Sequence, residues 1–140
     1  MNNSNKKFTA ECPAGCPHDD AVDANGDFFR LAHANPPSEA DYKTYAELGI
    51  FPDRDKCLRC GLSVFSKAKG AESLYQYMMR RHKGAVDLGK YVARLELCPT
   101  DGKVKQTNRP PHQTWWMYDD TDRAATFRET VRELNYAQEH

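Results

Sequence analysis

Residues 90–98 read KYVARLELC, and no other run constrains the chain as strongly. Leu95 and Leu97 alternate with Glu96, the period of two that sends side chains to opposite faces of a strand. Pro99-Thr-Asp-Gly102 is a turn, and residues 103–107, KVKQT, read as the strand's hairpin partner. A chain with such a hairpin is committed to a sheet, which the remaining segments must extend or cover.

Three further runs read as strands. FFRLAH, residues 28–33, follows the Asn25-Gly26 turn; alternation puts Phe29, Leu31 and His33 on one face, with Phe28, Arg30 and Ala32 on the other. Asn35-Pro36-Pro37 ends it, since proline donates no ladder hydrogen bond. GLSVF, residues 61–65, reads as a short buried strand, and HQTWWMY, residues 112–118, as an aromatic one behind the Asn108-Arg-Pro-Pro111 break.

Helices are expected between them. Ser38 and Asp41 have capping-box spacing for a helix over 38–48, with Gly49 suited to its C-terminal end. Ser66 is placed to cap a second over 71–81, where Leu74, Tyr75, Met78 and Met79 form one stripe and Lys83-Gly84 closes it. Phe127, Val131 and Leu134 predict a C-terminal helix, with Asp119, Asp120 and Asp122 near its positive end. The order predicts an α+β fold, a mainly antiparallel sheet with three helices, in one compact domain over 27–140. Residues 1–26 lack either period and are expected to be loosely structured or stapled by zinc.

Twenty basic residues balance twenty acidic ones. A neutral chain carries no whole-molecule attraction for nucleic acid or anionic membrane, so such a role would need a local patch. No apolar run is long enough to span a membrane, and the N-terminal lysines are followed by no apolar signal core. The expected compartment is the cytoplasm, where thiols stay reduced.

In that setting the odd count of five cysteines suits thiols or metal ligands better than a disulfide framework. Cys12 and Cys16 form one close pair, and Cys57 and Cys60, in CLRCG, form another with the spacing of a zinc knuckle. Two such pairs can complete a tetrahedral four-thiolate zinc site, with His18 and His82 as spare nitrogen donors. That site would be structural, since four thiolates leave no open position. Cys98 reads as a core thiol at a strand end.

A second group of residues suits a small-molecule pocket. Arg30 and His33 lie on one strand, Ser63 and Ser66 on another, Glu96 on the hairpin, and His112 and Gln113 beside Trp115, Trp116 and Tyr118. An imidazole exchanges protons near neutral pH, and aromatic rings offer faces to a planar ligand. Each also has an ordinary structural reading: an ion pair for Arg30, fixed hydrogen bonds for the histidines, core packing for the tryptophans.

The succession FFRLAH, GLSVFSKAKGAESLYQYM and KYVARLELCPTDGKV, within residues 28–118, resembles the layout of the ADP-ribosyltransferase-like fold. The resemblance implies an NAD-type nucleotide held by Arg30 or His33 and by Ser63, with Gln113 or Glu96 orienting the ribose. It further implies stacking on Trp115, Trp116 or Tyr118, His112 or Gln113 acting on the leaving or accepting group, and ADP-ribose transfer to an acceptor. The alternative is a zinc-stabilised module without catalysis that binds nucleic acid or protein. Its basic stretch would be KVKQTNR, residues 103–109, interleaved with the aromatics that follow.

Overall fold

The computed structural model describes residues 6–82 and 87–136. Seven strands form one antiparallel sheet: β1 (Val22–Asp23), β2 (Gly26–Ala32), β3 (Leu62–Phe65), β4 (Tyr91–Leu97), β5 (Gly102–Gln106), β6 (His112–Met117) and β7 (Phe127–Glu133). Their order across the sheet is β1-β5-β6-β3-β2-β4-β7. Three α-helices accompany it among the described residues: α1 (Tyr45–Leu48), α2 (Lys56–Arg59) and α3 (Ala68–His82). The expected α+β class, with a mainly antiparallel sheet and three helices in one compact domain, is the one observed.

The strand at 90–98 is present as β4, but KVKQT is not its partner. β4 lies between β2 and β7, while β5 pairs with β1 and β6. A 3₁₀ turn at Pro99–Asp101, pinned by Cys98 N–H to the Asp101 carboxylate at 2.8 Å, carries the chain across the sheet. Burial explains the choice: Val92, Ala93, Leu95 and Leu97 are all buried, so β4 needs cover on both faces and neighbours on both edges.

The C-terminal helix is also absent, because residues 127–133 are the edge strand β7. Phe127 and Val131 have helical spacing, yet Thr130 and Val131 are β-branched and β4 offers an open edge. Arg128 and Glu129 on β7 pair with Glu96 and Arg94 on β4, Glu133 pairs with Lys90 just before β4, and two register irregularities bend the strand. Such charges and bulges keep an edge from recruiting another sheet. The expected helix over 38–48 is split into a 3₁₀ turn at Glu39–Tyr42 and α1, which ends on left-handed Gly49. The Lys83-Gly84 stop lies outside the described residues.

One face of the sheet buries Phe28, Leu95, Leu97, Val64 and Trp115 beneath Tyr42. The other holds Leu31, Phe65 and Val92 under Ala71, Leu74 and Tyr75 of α3. At Gly70 the helix lies so close that a Cβ would come 2.6 Å from Pro111 Cγ and 2.7 Å from Phe65 Cδ1. Among the described residues no helix is long and apolar enough to cross a membrane.

Candidate functional site

β2 and β3 share only the Phe29–Phe65 register pair, and Arg30 spans the rest of that seam. Its Nε donates to the Asp41 carbonyl at 3.1 Å and its Nη1 to the Ser63 carbonyl at 2.7 Å. Burial lowers the guanidinium pKa from its ordinary value, with Tyr45 and Asp41 opposing the shift. Across β3, the exposed Ser63 Oγ lies 3.1 Å from His112 Nε2. His112 Nδ1 lies 2.9 Å from the Thr107 carbonyl, an acceptor only, so this nitrogen carries the proton and Nε2 is free to accept from Ser63. Burial lowers the His112 pKa, against the Thr107 bond that raises it. Ser63 therefore meets both, Arg30 through its backbone carbonyl and His112 through its Oγ, while the Arg30 side chain itself lies on the Phe28 face.

The other expected pocket residues do not join them. His33 is held at both ring nitrogens, by the Asp41 carboxylate at 2.7 Å and the Asp87 carbonyl at 2.8 Å. Burial alone would lower its pKa, but these two acceptors raise it and favour the imidazolium. That ring has no free nitrogen with which to act as a base. Glu96 is bound to Arg128 at 3.1 Å on the β4–β7 side of the sheet, away from the β3–β6 pair. Gln113 alternates with His112 and so faces the other way, where it meets one other expected residue, Ser66, in a cavity of about 320 Å³ lined also by Lys67, Gln106, Pro110 and Pro111.

The stacking residues are core. Trp115 and Trp116 are 0% and 1% exposed, on opposite faces, and Tyr118 is 3% exposed against Phe8 at 4.9 Å between centroids. None presents a face to a planar ligand. The basic stretch is likewise occupied: Lys105 pairs with Asp20 at 3.0 Å and Lys103 lies 3.9 Å from Asp23.

The four cysteines do meet. The arm at residues 6–21 crosses the sheet's end, and its sulfurs sit at disulfide distance from those of the knuckle, Cys12 with Cys60 and Cys16 with Cys57. The Sγ atoms of Cys12, Cys16 and Cys60 all lie within 4.8 Å of one another, close enough to hold a metal ion. Asp55 accepts from the Cys57 and Leu58 N–H groups at 2.9 and 3.0 Å, which starts α2 and turns the knuckle. Trp116 Nε1 donates to the Cys57 carbonyl at 2.7 Å, which fixes the knuckle to β6. Ala21 and Phe8 pack around this centre. His18 points elsewhere, its Nδ1 lying 3.3 Å from Lys105 Nζ; the His82 side chain lies outside the described residues. Cys98 is exposed, not a core thiol.

Sequence reasoning missed Arg123 altogether and gave Asp41 only its capping-box role with Ser38, which the structure forms. The buried Asp41 carboxylate accepts from His33, Ala34 and Ser38. Arg123 binds both oxygens of Glu47, at 2.6 and 2.8 Å, and the Tyr42 carbonyl at 2.6 Å. The signal for Glu47 was a second capping box, Thr44-x-x-Glu47, which the structure forms. Fold and site together define an antiparallel α+β domain whose N-terminal arm is tied down by a four-cysteine staple. No family model, curated protein or solved structure matches the chain.

Proposed function

We propose that the chain is a zinc-stabilised interaction module in which Cys12, Cys16, Cys57 and Cys60 hold the ion as four thiolates. The convergence of Cys12, Cys16 and Cys60, whose sulfurs lie within 4.8 Å of one another, carries the reading, with Cys57 brought in beside Cys16. Four sulfurs about 2.3 Å from one zinc ion lie about 3.8 Å apart; the 3.6 Å Cys16–Cys60 approach is close to such an edge, whereas Cys12–Cys60 and Cys16–Cys57 sit at disulfide distance. The donor set is right for zinc, and a four-thiolate centre ties the arm down without leaving a position for substrate. The cytoplasm, where thiols stay reduced, is the setting that goes with this form. Exposed Leu48, Ile50 and Leu58 stand on α1, the turn after it and α2, and favour a protein partner. The lysines of β5, already paired with Asp20 and Asp23, do not favour nucleic acid. Metal analysis of protein purified with a reductant tests the reading: about one zinc per chain is expected, and a metal-free, fully reduced, folded chain would refute it.

A nucleotide-type ligand is the second reading, favoured by Ser63, whose carbonyl accepts from Arg30 and whose hydroxyl meets His112. There Arg30 would bind phosphate or ribose hydroxyls, and neutral His112 would hold Ser63 as a donor or acceptor for the ligand. Calorimetric titration with NAD tests it, with saturable heat lost in Arg30→Ala as the supporting result and no heat in the parent protein as the opposing one.

A further inference from the structure

The sulfur pairs run between the arm and the knuckle rather than within either. Their Cα–Cα separations, 5.3 Å for Cys12–Cys60 and 5.5 Å for Cys16–Cys57, lie inside the span a disulfide bridges. The 3.6 Å Cys16–Cys60 approach is at the same time close to an edge of a four-thiolate tetrahedron. The backbone spacing thus suits the bonded pairs, while the sulfurs of Cys12, Cys16 and Cys60 already lie close enough to share an ion. We propose that the centre is a peroxide-operated switch: oxidation closes Cys12–Cys60 and Cys16–Cys57 and releases the zinc, and reduction restores the metal site. This rests on the zinc reading above and adds its regulation.

Access gives the order of events. Cys60 and Cys57 are 0% and 8% exposed, whereas Cys12 and Cys16 are half-buried, so peroxide meets the arm sulfurs first. An arm thiolate attacks a peroxide oxygen, the O–O bond breaks, and a sulfenic acid forms as hydroxide leaves. The facing knuckle thiolate attacks that sulfur, the S–S bond forms and the S–O bond breaks, with a second hydroxide leaving. Two rounds close both bonds: four thiolates lose four electrons to two peroxides, four protons convert the hydroxides to four waters, and one Zn²⁺ departs. Each thiolate withdrawn weakens the hold on the ion.

The arm stays tied to the knuckle in both states, so the switch changes the centre without releasing the N-terminal segment. The Cys57 carbonyl accepting from Trp116 lies beside the changing sulfurs, which makes the tryptophan a reporter.

The test uses the full chain with Cys98→Ser, which removes the exposed fifth thiol and leaves the centre intact. Zinc content is read first, under argon, and hydrogen peroxide is then titrated against a zinc-binding dye. The expected result is release of the zinc by about two peroxides per chain, a mass lower by four hydrogens, and peptide maps joining Cys12 to Cys60 and Cys16 to Cys57. Dithiothreitol with added zinc should restore the starting metal content. Zinc retained through the titration, sulfinic products, or Cys12–Cys16 and Cys57–Cys60 pairs would each overturn the switch and leave the zinc reading standing. A reduced chain without zinc before any peroxide overturns both.

Discussion

His33 Nδ1 and the Asp41 carboxylate lie 2.7 Å apart, and the His33 N–H reaches the same oxygen at 2.8 Å. Burial pushes the Asp41 pKa up, but the N–H groups of His33 and Ser38 and the imidazole outweigh it, and the net shift is downward. The His33 pKa moves upward. A raised histidine contributes fully below its unfolded value and loses the contribution as pH rises through the native one. A lowered carboxylate contributes fully above its unfolded value and loses the contribution as pH falls through the native one. The pair is therefore fully stabilising between about pH 4 and pH 6.5. Melting curves across pH should show a plateau there, and Asp41→Asn should flatten both limbs. That substitution should cost about 2–4 kcal/mol, because it strips charge-assisted bonds from a buried acceptor, and chemical denaturation measures it.

Arg123 and Glu47 form the second fixed pair, joining the loop before β7 to α1. Burial raises the Glu47 pKa, but Arg123 and the Thr44 N–H more than reverse this and lower it. Glu47 thus adds to the acid limb, with its contribution lost as pH falls through the lowered value. Glu47→Gln keeps the size but loses the bidentate charge pair, and should cost about 1–3 kcal/mol at neutral pH. Arg123→Lys should cost nearly as much, since an ammonium cannot span both carboxylate oxygens and the Tyr42 carbonyl. Near-wild-type stability for both variants would show that this contact does not hold α1.

Much of this was legible from local pattern. The strand runs FFRLAH, GLSVF, KYVARLELC and HQTWWMY all form strands, because alternation and β-branching are local signals. Pairing was not legible. KVKQT follows a turn yet joins HQTWWM, since a four-residue connection is compatible with either partner and burial of β4 decides. Residues 127–133 have apolar spacing that fits a helix, and only the open edge of β4 makes them a strand. The same limit governed the site. The meeting of the cysteine pairs was readable from spacing, whereas the locking of His33 by Asp41 and Asp87 depends on loops that sequence does not place. The burial of both tryptophans follows from cover on each face of β6.

Gly70 marks the closest approach of α3 to the sheet. Alanine is ordinarily the better helix former by about 1 kcal/mol, but here its Cβ would meet Pro111 and Phe65 within 2.7 Å. Overpacking of that kind costs about 1–3 kcal/mol, so Gly70→Ala should lower stability despite the propensity gain. An unchanged or raised melting temperature would mean that Pro111 shifts freely.

Trp116 offers the sharpest separation of staple from core. Its Nε1 donates to the Cys57 carbonyl at 2.7 Å, while the neighbouring Trp115 Nε1 donates to the Asp101 carbonyl at 3.0 Å on the opposite face. Replacing either by phenylalanine removes one N–H donor and leaves a smaller ring in a buried site. Both variants should therefore lose about 2–4 kcal/mol of stability. Only Trp116→Phe frees the knuckle carbonyl, so only it should weaken zinc binding, by roughly 10–100-fold as outer partners of metal ligands do. Competition with a chelator of known affinity measures this, with Trp115→Phe as the control for destabilisation alone. Equal zinc affinity in the two variants would mean that the knuckle keeps its shape without β6.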